Sequence, residues 1–443
     1  MARQERIYFC TKTLNWHQKL LIKGGDSIMP AINSGDTSWV LISSALVLFM
    51  TPGLALFYGG MTRRKNVLNT IMSSFFIAGL GSILWVLIGY SLSFSGDTGG
   101  IIGDFKWVLF NGVGWDPNAA YAATIPHILF ATFQMMFAVI TPALITGALV
   151  ERMKFSVLIV FITAWSLIVY YPLAHMLWGG GFLSQLGAVD FAGGNVVHIS
   201  SGVSALVAAI ILGKRKGHGM ASYHPHNIPI VVLGAAILWF GWFGFNGGSA
   251  LAANGLAAHA FLTTNTSAAA ALLSWMAIEK ITQGKFTVLG AATGCVVGLV
   301  AITPAAGFIP VWAAIITGLL VSPLCYFGVT VLKKKFGYDD ALDAFGCHGI
   351  GGIWGGIATG LFTQTSINSY AKWDGLVFGN THLFFAELAA IGTTIVLAAV
   401  GTAAILFVIK LFTPLRVTAK EEAEGLDISQ HGESAYPSFM GMD

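Results

Sequence analysis

The chain is a succession of apolar runs, each about as long as a bilayer is thick and each closed by a short polar loop. The runs fall at approximately 37–58, 67–94, 122–149, 155–171, 196–213, 227–250, 262–278, 287–304, 311–332, 342–363 and 383–409. About 20 helical residues cross a hydrocarbon core. A backbone in lipid must satisfy its own hydrogen bonds, so runs of this length and number predict an all-α integral membrane protein of eleven spans. Charged residues make up 10% of the chain, against about 25% in a soluble domain. Within the spans the only acidic or basic side chains are Asp343 and Glu387, and the only histidines are His127, His198 and His348. The net charge of +3 sits in the loops, which excludes a nucleic-acid partner. Four dispersed cysteines without a Cys-x-x-Cys pair argue against a disulfide framework or a zinc site. The 54 glycines, many inside apolar runs, suit close helix contact in lipid.

Loop charge gives an orientation. One alternate set of loops, with the tail, carries sixteen basic residues, including Arg63-Arg-Lys65, Lys214-Arg-Lys216 and Lys333-Lys-Lys335; the other set carries Lys106 and Lys372. The first set is expected in the cytoplasm, with the N-terminus outside and the C-terminus inside. Residues 1–28 hold five basic residues but no signal-peptide core, and Met29 is an alternative start. The expected organisation is an extension at 1–32, a transmembrane domain at 33–412 and a cytoplasmic tail at 413–443. The first ten spans divide into two groups of five, and an odd number inverts the second copy. His198 falls in the fifth span and His348 in the tenth, as His198-x-x-x-Gly202 and His348-x-x-x-Gly352. Equivalent positions of inverted halves meet near the bilayer midplane, so these two imidazoles are expected to face each other.

An ionisable group inside a span needs a partner or a purpose. A lone histidine there usually just ties helices together; two in register point to a lined pathway, and no third ligand suggests a metal. Buried in apolar surroundings, both rings should be neutral, able to donate and accept hydrogen bonds and to pass a proton. Asp190 stands eight residues before His198. It reads either as a helix cap or as a carboxylate that favours a cation near the outer mouth, and the two are compatible. Trp178, in Met176-Leu-Trp-Gly-Gly-Gly181, Phe137 and Trp242-Phe-Gly-Phe245 form an outer group of aromatics. Their plain reading is interfacial or packing residues; the alternative is a cation site, where a ring face attracts a small cation by about 0.5–2 kcal/mol. Ser249 could accept a hydrogen bond from a donor-rich cation. Asp343, with Asp339 and Asp340 before it, opens the tenth span and suits a helix N-terminus. Glu387 shows no partner in sequence; an unseen partner or protonation must neutralise it.

Several motifs, in order, make the chain resemble the ammonium transporter (Amt/Mep/Rh) family from about residue 33 to 436. They are Pro52-Gly-Leu-Ala-Leu-Phe-Tyr-Gly-Gly60, Gly147-Ala-Leu-Val-Glu-Arg152, Asp190-Phe-Ala-Gly-Gly-Asn-Val-Val-His198, Gly241-Trp-Phe-Gly-Phe-Asn-Gly-Gly-Ser249 and Asp339-Asp-Ala-Leu-Asp-Ala-Phe-Gly-Cys-His-Gly349. Trp178 favours the Amt/Mep branch. The resemblance implies a plasma-membrane homotrimer with one pore per subunit and no cofactor. It implies an outer ammonium site of Trp178, Phe137 and Ser249 supported by Asp190, a gate of Phe137 and Phe245, and a pore lined by His198 and His348. Glu424-Gly-Leu-Asp-Ile-Ser-Gln-His-Gly-Glu-Ser-Ala-Tyr436 resembles the family's cytoplasmic segment, which couples subunits and helps dock a P-II-type signal protein; on composition alone it is equally a solvated acidic tail.

The expected activity is transport, with ammonium deprotonated outside and ammonia crossing, and with net movement of charge favoured over neutral passage. The rivals are an ammonium sensor that barely transports and a membrane metalloenzyme. The second lacks a third ligand and a general base.

Overall fold

The computed structural model describes residues 32–219 and 223–436. The expected N-terminal extension lies outside the described residues up to position 31, as do residues 437–443 of the tail. Helices follow one another as α1 (Ser34–Met61), α2 (Arg64–Phe94), α3 (His127–Leu149), α4 (Phe155–Leu186), α5 (Gly194–Leu212), α6 (Ile228–Gly247), α7 (Gly255–Gln283), α8 (Val288–Ile302), α9 (Val311–Phe336), α10 (residues 345–362) and α11 (His382–Phe412). Eight of them, all but α7, α8 and α10, are long and apolar enough to cross a membrane. The chain is a multi-pass membrane protein.

The distribution of side chains inverts that of a soluble protein. Phe75, Val160, Leu273, Val396 and Phe407 are exposed, whereas Ser43, Thr51, Ser74, Thr264, Thr394 and Thr402 are buried. In lipid an outward Leu or Phe costs nothing, and the interior is free to use small polar residues at helix contacts. Some buried hydroxyls return to their own helix, as when Thr264 Oγ1 donates to Ala260 O at 2.6 Å and Thr394 Oγ1 to Ala390 O at 2.8 Å. Helix starts are chemically marked. Asn33 accepts from the Asp36 N–H to open α1, Asn254 caps α7, and Thr287 caps α8.

At one end of the bundle the chain places a buried ion cluster. Glu151 accepts from Arg63 at 2.7 Å and Arg215 at 3.1 Å, and Arg215 reaches Asp339 at 2.9 Å. Arg152, fully buried, donates to the Asp339 carbonyl at 2.6 Å. Burial disfavours both carboxylates, but the Arg215 guanidinium outweighs it, with Arg63 helping at Glu151 and Arg152 at Asp339, and both are held below the ordinary range. Arg63, Arg152 and Arg215 were counted above as loop charges; here they are cross-links between the ends of α1, α3, α5 and α9.

The tail packs on the same end. A short helix, α12 (Ala419–Glu424), is opened by a Thr418/Glu421 capping box. The Asn69 N–H donates to Asp427 at 2.8 Å, the Leu426 N–H to Asn66 at 2.8 Å, and Arg416 pairs with Glu422 at 2.8 Å. The described part of the tail is therefore docked on the α2 N-terminus, not simply solvated.

Candidate functional site

Helices α5 and α10 cross at the centre of the bundle, and each delivers one histidine from a π-helical turn, Gly194–Ile199 and Phe345–Gly349. The crossing is close because glycine occupies both contact points. A Cβ on Gly202 would lie 2.1 Å from the Gly349 nitrogen, and one on Gly352 would lie 3.1 Å from the His198 Cβ. The spacing His-x-x-x-Gly is thus the packing rule of the crossing: each histidine is set beside a glycine one turn further along. His198 Nδ1 and His348 Nδ1 are 3.3 Å apart, with the rings 17° from parallel.

This bridge fixes the chemistry of the outer nitrogens. A hydrogen bond between two Nδ1 atoms needs one donor and one acceptor, so in a neutral pair one ring carries its proton on Nδ1 and the other on Nε2. The pair therefore offers one Nε2 acceptor and one Nε2–H donor to its surroundings. His198 Nε2 is buried and has no partner among the described residues. Both rings line a narrow cavity of about 10 Å³, walled by Leu54, Phe57, Ile140, Leu144, Val197, Leu238 and Val296 and by no charged side chain. That is about the space of a single water.

Above it, Phe137 and Phe245 stand with ring centroids 4.4 Å apart, tilted by 42°. Trp178 meets Phe137 at 5.9 Å and 83°. Phe137 and Trp178 line a second cavity, the outer one of the expected orientation, of about 280 Å³, with Ser249, Asp190, Gln134 and Tyr121, while Phe245 faces the histidine cavity. Trp178 ends the main helix of α4, and its indole N–H donates to the Asp190 carbonyl at 2.8 Å, which sets the orientation of the ring. The Ser249 hydroxyl donates to the Phe245 carbonyl at 2.8 Å. Its proton is thereby committed, and its lone pairs remain available to a donor in the cavity.

Asp190 is a cap in the full sense. Oδ1 accepts from the Gly193 and Gly194 N–H groups at 2.7 Å each, and Oδ2 from Asn195 at 2.8 Å and Val196 at 3.2 Å. With its oxygens bonded to four amides and the residue on the cavity wall, Asp190 caps the π turn and borders the cavity at once, so the two readings, cap and carboxylate near a cation, are compatible in this geometry.

Three features escaped the sequence reading. The residue that caps α10 is Asp340, which accepts from the Ala344 and Phe345 N–H groups at 3.1 and 2.8 Å. Asp343 instead pairs with Lys333 at 2.6 Å, and Asp339 belongs to the ion cluster. The signal was present: Asp340 stands eight residues before His348, as Asp190 does before His198. Trp242, read as an outer aromatic, is buried and stacks on His198 at 5.5 Å and 23°, held by its N–H to Thr303 Oγ1 at 2.8 Å. Three residues before Phe245, it lies on the same helix face. Glu387, left without a partner, accepts from the Val189 N–H at 2.6 Å.

Residues 38–436 match the model of the Ammonium Transporter Family. The chain belongs to that family. It is 55% identical to the "Ammonium transporter" of Bacillus subtilis over 92% of this chain and 99% of that one. Among solved structures, Saccharomyces cerevisiae Mep2 superposes with a TM-score of 0.82 at 36% identity, covering 88% of each chain. A "Sensor Amt Protein" superposes with a TM-score of 0.82 at 27% identity, covering 90% of this chain and 98% of that one. The family's members are transporters, not enzymes.

Proposed function

We propose that this protein is a plasma-membrane ammonium transporter in which ammonium is bound in the outer cavity, gives up a proton there, and crosses as ammonia past His198 and His348. The observation that carries this reading is the Nδ1-bridged histidine pair lining a narrow cavity without charged walls, next to an aromatic cavity with which it shares the Phe137–Phe245 contact. Trp178, Phe137 and Ser249 supply ring faces and a hydroxyl acceptor, and Asp190 supports the site through the Trp178 indole. Phe137 and Phe245 form the gate.

Energetics decide what crosses. Aromatic faces return about 0.5–2 kcal/mol to a small cation. An unpaired ion in an apolar interior costs tens of kcal/mol by its solvation alone. Potassium, similar in size, has no proton to surrender, and this supplies the selectivity. A neutral ammonia meets one imidazole acceptor and one donor, both of which it can use. We infer net charge movement, with the proton following along the histidine pair; silent planar membranes with intact ammonia uptake would refute it.

The finer architecture of this reading is eleven spans with inverted five-helix halves and an eleventh helix, the N-terminus outside and the C-terminus in the cytoplasm. The matching Asp-x₇-His spacing in α5 and α10 supports the repeat. The proposed division is an extension at 1–32, a transmembrane domain at 33–412 and a tail at 413–443. Homotrimeric assembly, and a P-II-type regulator on the face that holds the ion cluster and the docked tail, complete the proposal. The alternative is an ammonium sensor with little transport. Uptake by a strain without its own transporters separates the two: wild type should restore growth on low ammonium, His198→Ala should abolish uptake at normal surface levels, and Trp178→Leu should weaken apparent affinity. A wild-type protein that reaches the surface and leaves uptake at background would favour the sensor.

A further inference from the structure

Glu387 is fully buried in α11, more than a turn from the helix start, and no cationic side chain pairs with it among the described residues. Its Oε1 accepts from the Val189 N–H, and its Oε2 has no partner among the described residues. Val189 immediately precedes Asp190, and its N–H makes no backbone hydrogen bond among the described residues. The segment it opens carries two functions at once. The Asp190 side chain starts the π turn that bears His198, and the Asp190 carbonyl holds the Trp178 indole. The next anchor in the chain is Phe191, whose N–H donates to the Pro304 carbonyl at 3.1 Å. Residues 189–191 are therefore pinned from two sides, by α11 and by the end of α8, and the Trp178 contact falls between the pins.

We propose that Glu387, as a neutral carboxylic acid, is a positioning residue for the outer cation site, fixing the Val189–Asp190 backbone and through it the face that Trp178 presents. An ionised carboxylate with a single amide donor and a second oxygen unbonded would be costly at this depth. A neutral acid supplies the same carbonyl acceptor without that cost, and it keeps a second negative charge away from Asp190. The residue touches neither substrate nor pore; it acts by holding one backbone N–H across 198 residues of sequence. The inference rests on the proposed outer site at Trp178.

The test is ammonium uptake, with surface levels measured, for Glu387→Leu, Glu387→Gln, Trp178→Leu and the double variant Glu387→Leu/Trp178→Leu. E387L should raise KM by between about twofold and about thirtyfold, the range an aromatic face can contribute to a small cation, with the maximal rate per surface molecule kept. E387Q retains the acceptor and should restore the wild-type KM, and its ratio to wild type should stay constant from pH 5 to pH 8. In the double variant E387L should add nothing to the effect of W178L. A wild-type KM for E387L beside a raised KM for W178L overturns the role of Glu387 alone. A W178L protein with wild-type KM overturns the aromatic site and this inference with it. E387Q as impaired as E387L, a KM ratio that drifts with pH, or additive effects in the double variant would each overturn it. Should E387L not reach the membrane, Glu387→Asp decides: the acceptor is withdrawn by one methylene, a raised KM supports the inference, and an unchanged KM overturns it.

Discussion

Asp190→Asn separates two roles that a carboxylate beside a cation site can play. In the native protein each oxygen accepts from two backbone amides, at 2.7 to 3.2 Å. An amide side chain of the same shape keeps one oxygen and turns its NH₂ toward the other two N–H donors. Two charge-assisted hydrogen bonds are lost, each worth about 1.5–3 kcal/mol, so the variant should lose about 3–6 kcal/mol. The two stranded amides are at the start of the π turn that carries His198, so the loss falls on the histidine pair as well as on Trp178. Detergent-purified wild type and D190N should be melted side by side, followed by tryptophan fluorescence. The capping account expects a clearly lowered midpoint together with lost uptake. A D190N protein that melts with the wild type but binds ammonium more weakly would refute it, because Asp190 would then act as a charge and not as a brace.

Other outcomes follow from the same geometry. Gly202→Val has no room at the α5–α10 crossing, where a Cβ would fall 2.1 Å from the Gly349 nitrogen. Overpacking usually costs about 1–3 kcal/mol, and here the backbone itself must part, so surface expression or uptake should fail; normal uptake in a correctly sorted G202V protein would contradict the crossing. Asp339→Asn breaks the buried ion cluster and should destabilise by about 3–5 kcal/mol. Because Glu151 and Asp339 are both held below their ordinary values, the cluster's contribution is complete above the unfolded carboxylate range and fades as pH falls through the native values. The melting gap between wild type and D339N should thus be flat from pH 8 to about 5 and shrink below about 4; a gap that widens in acid would reverse the sign. Asp427→Ala removes the acceptor of the Asn69 N–H and should release the tail, raising tryptic cleavage at Lys420 in membranes opened to the protease. Unchanged cleavage would show that other contacts suffice.

Much of this arrangement was legible because membrane proteins punish unpartnered polarity. His198 and His348 stood out as intramembrane histidines in matched motifs, and the aromatic group around Trp178 and Phe137 stood out against Gly-rich surroundings. What was missed depends on contacts between distant parts of the chain. Arg63, Arg152 and Arg215 looked like ordinary loop charges because their acidic partners come from other loops. Asp339, Asp340 and Asp343 read together as acidic residues suited to the start of the tenth span, and only capping distance, not hydropathy, decides that Asp340 is the carboxylate that meets the first amides. Trp242 was assigned outward because aromatics near span ends usually are. Helix phase relative to Phe245 pointed the other way.

The shared Nδ1 contact between the two imidazoles has a kinetic corollary. A proton accepted at one Nε2 and released at the other displaces the bridging proton and leaves both tautomers reversed. The relay then points the wrong way for a second passage in the same direction. The pair must be reset, by ammonia taking the proton from the Nε2–H of one ring to the Nε2 of the other while the bridging proton shifts back, before it can conduct again; a proton returning along the bridge would only cancel the first transfer. Under the proposed proton movement such a wire would pass one proton and wait, coupling its turnover to the arrival of the next molecule and denying protons a continuous leak.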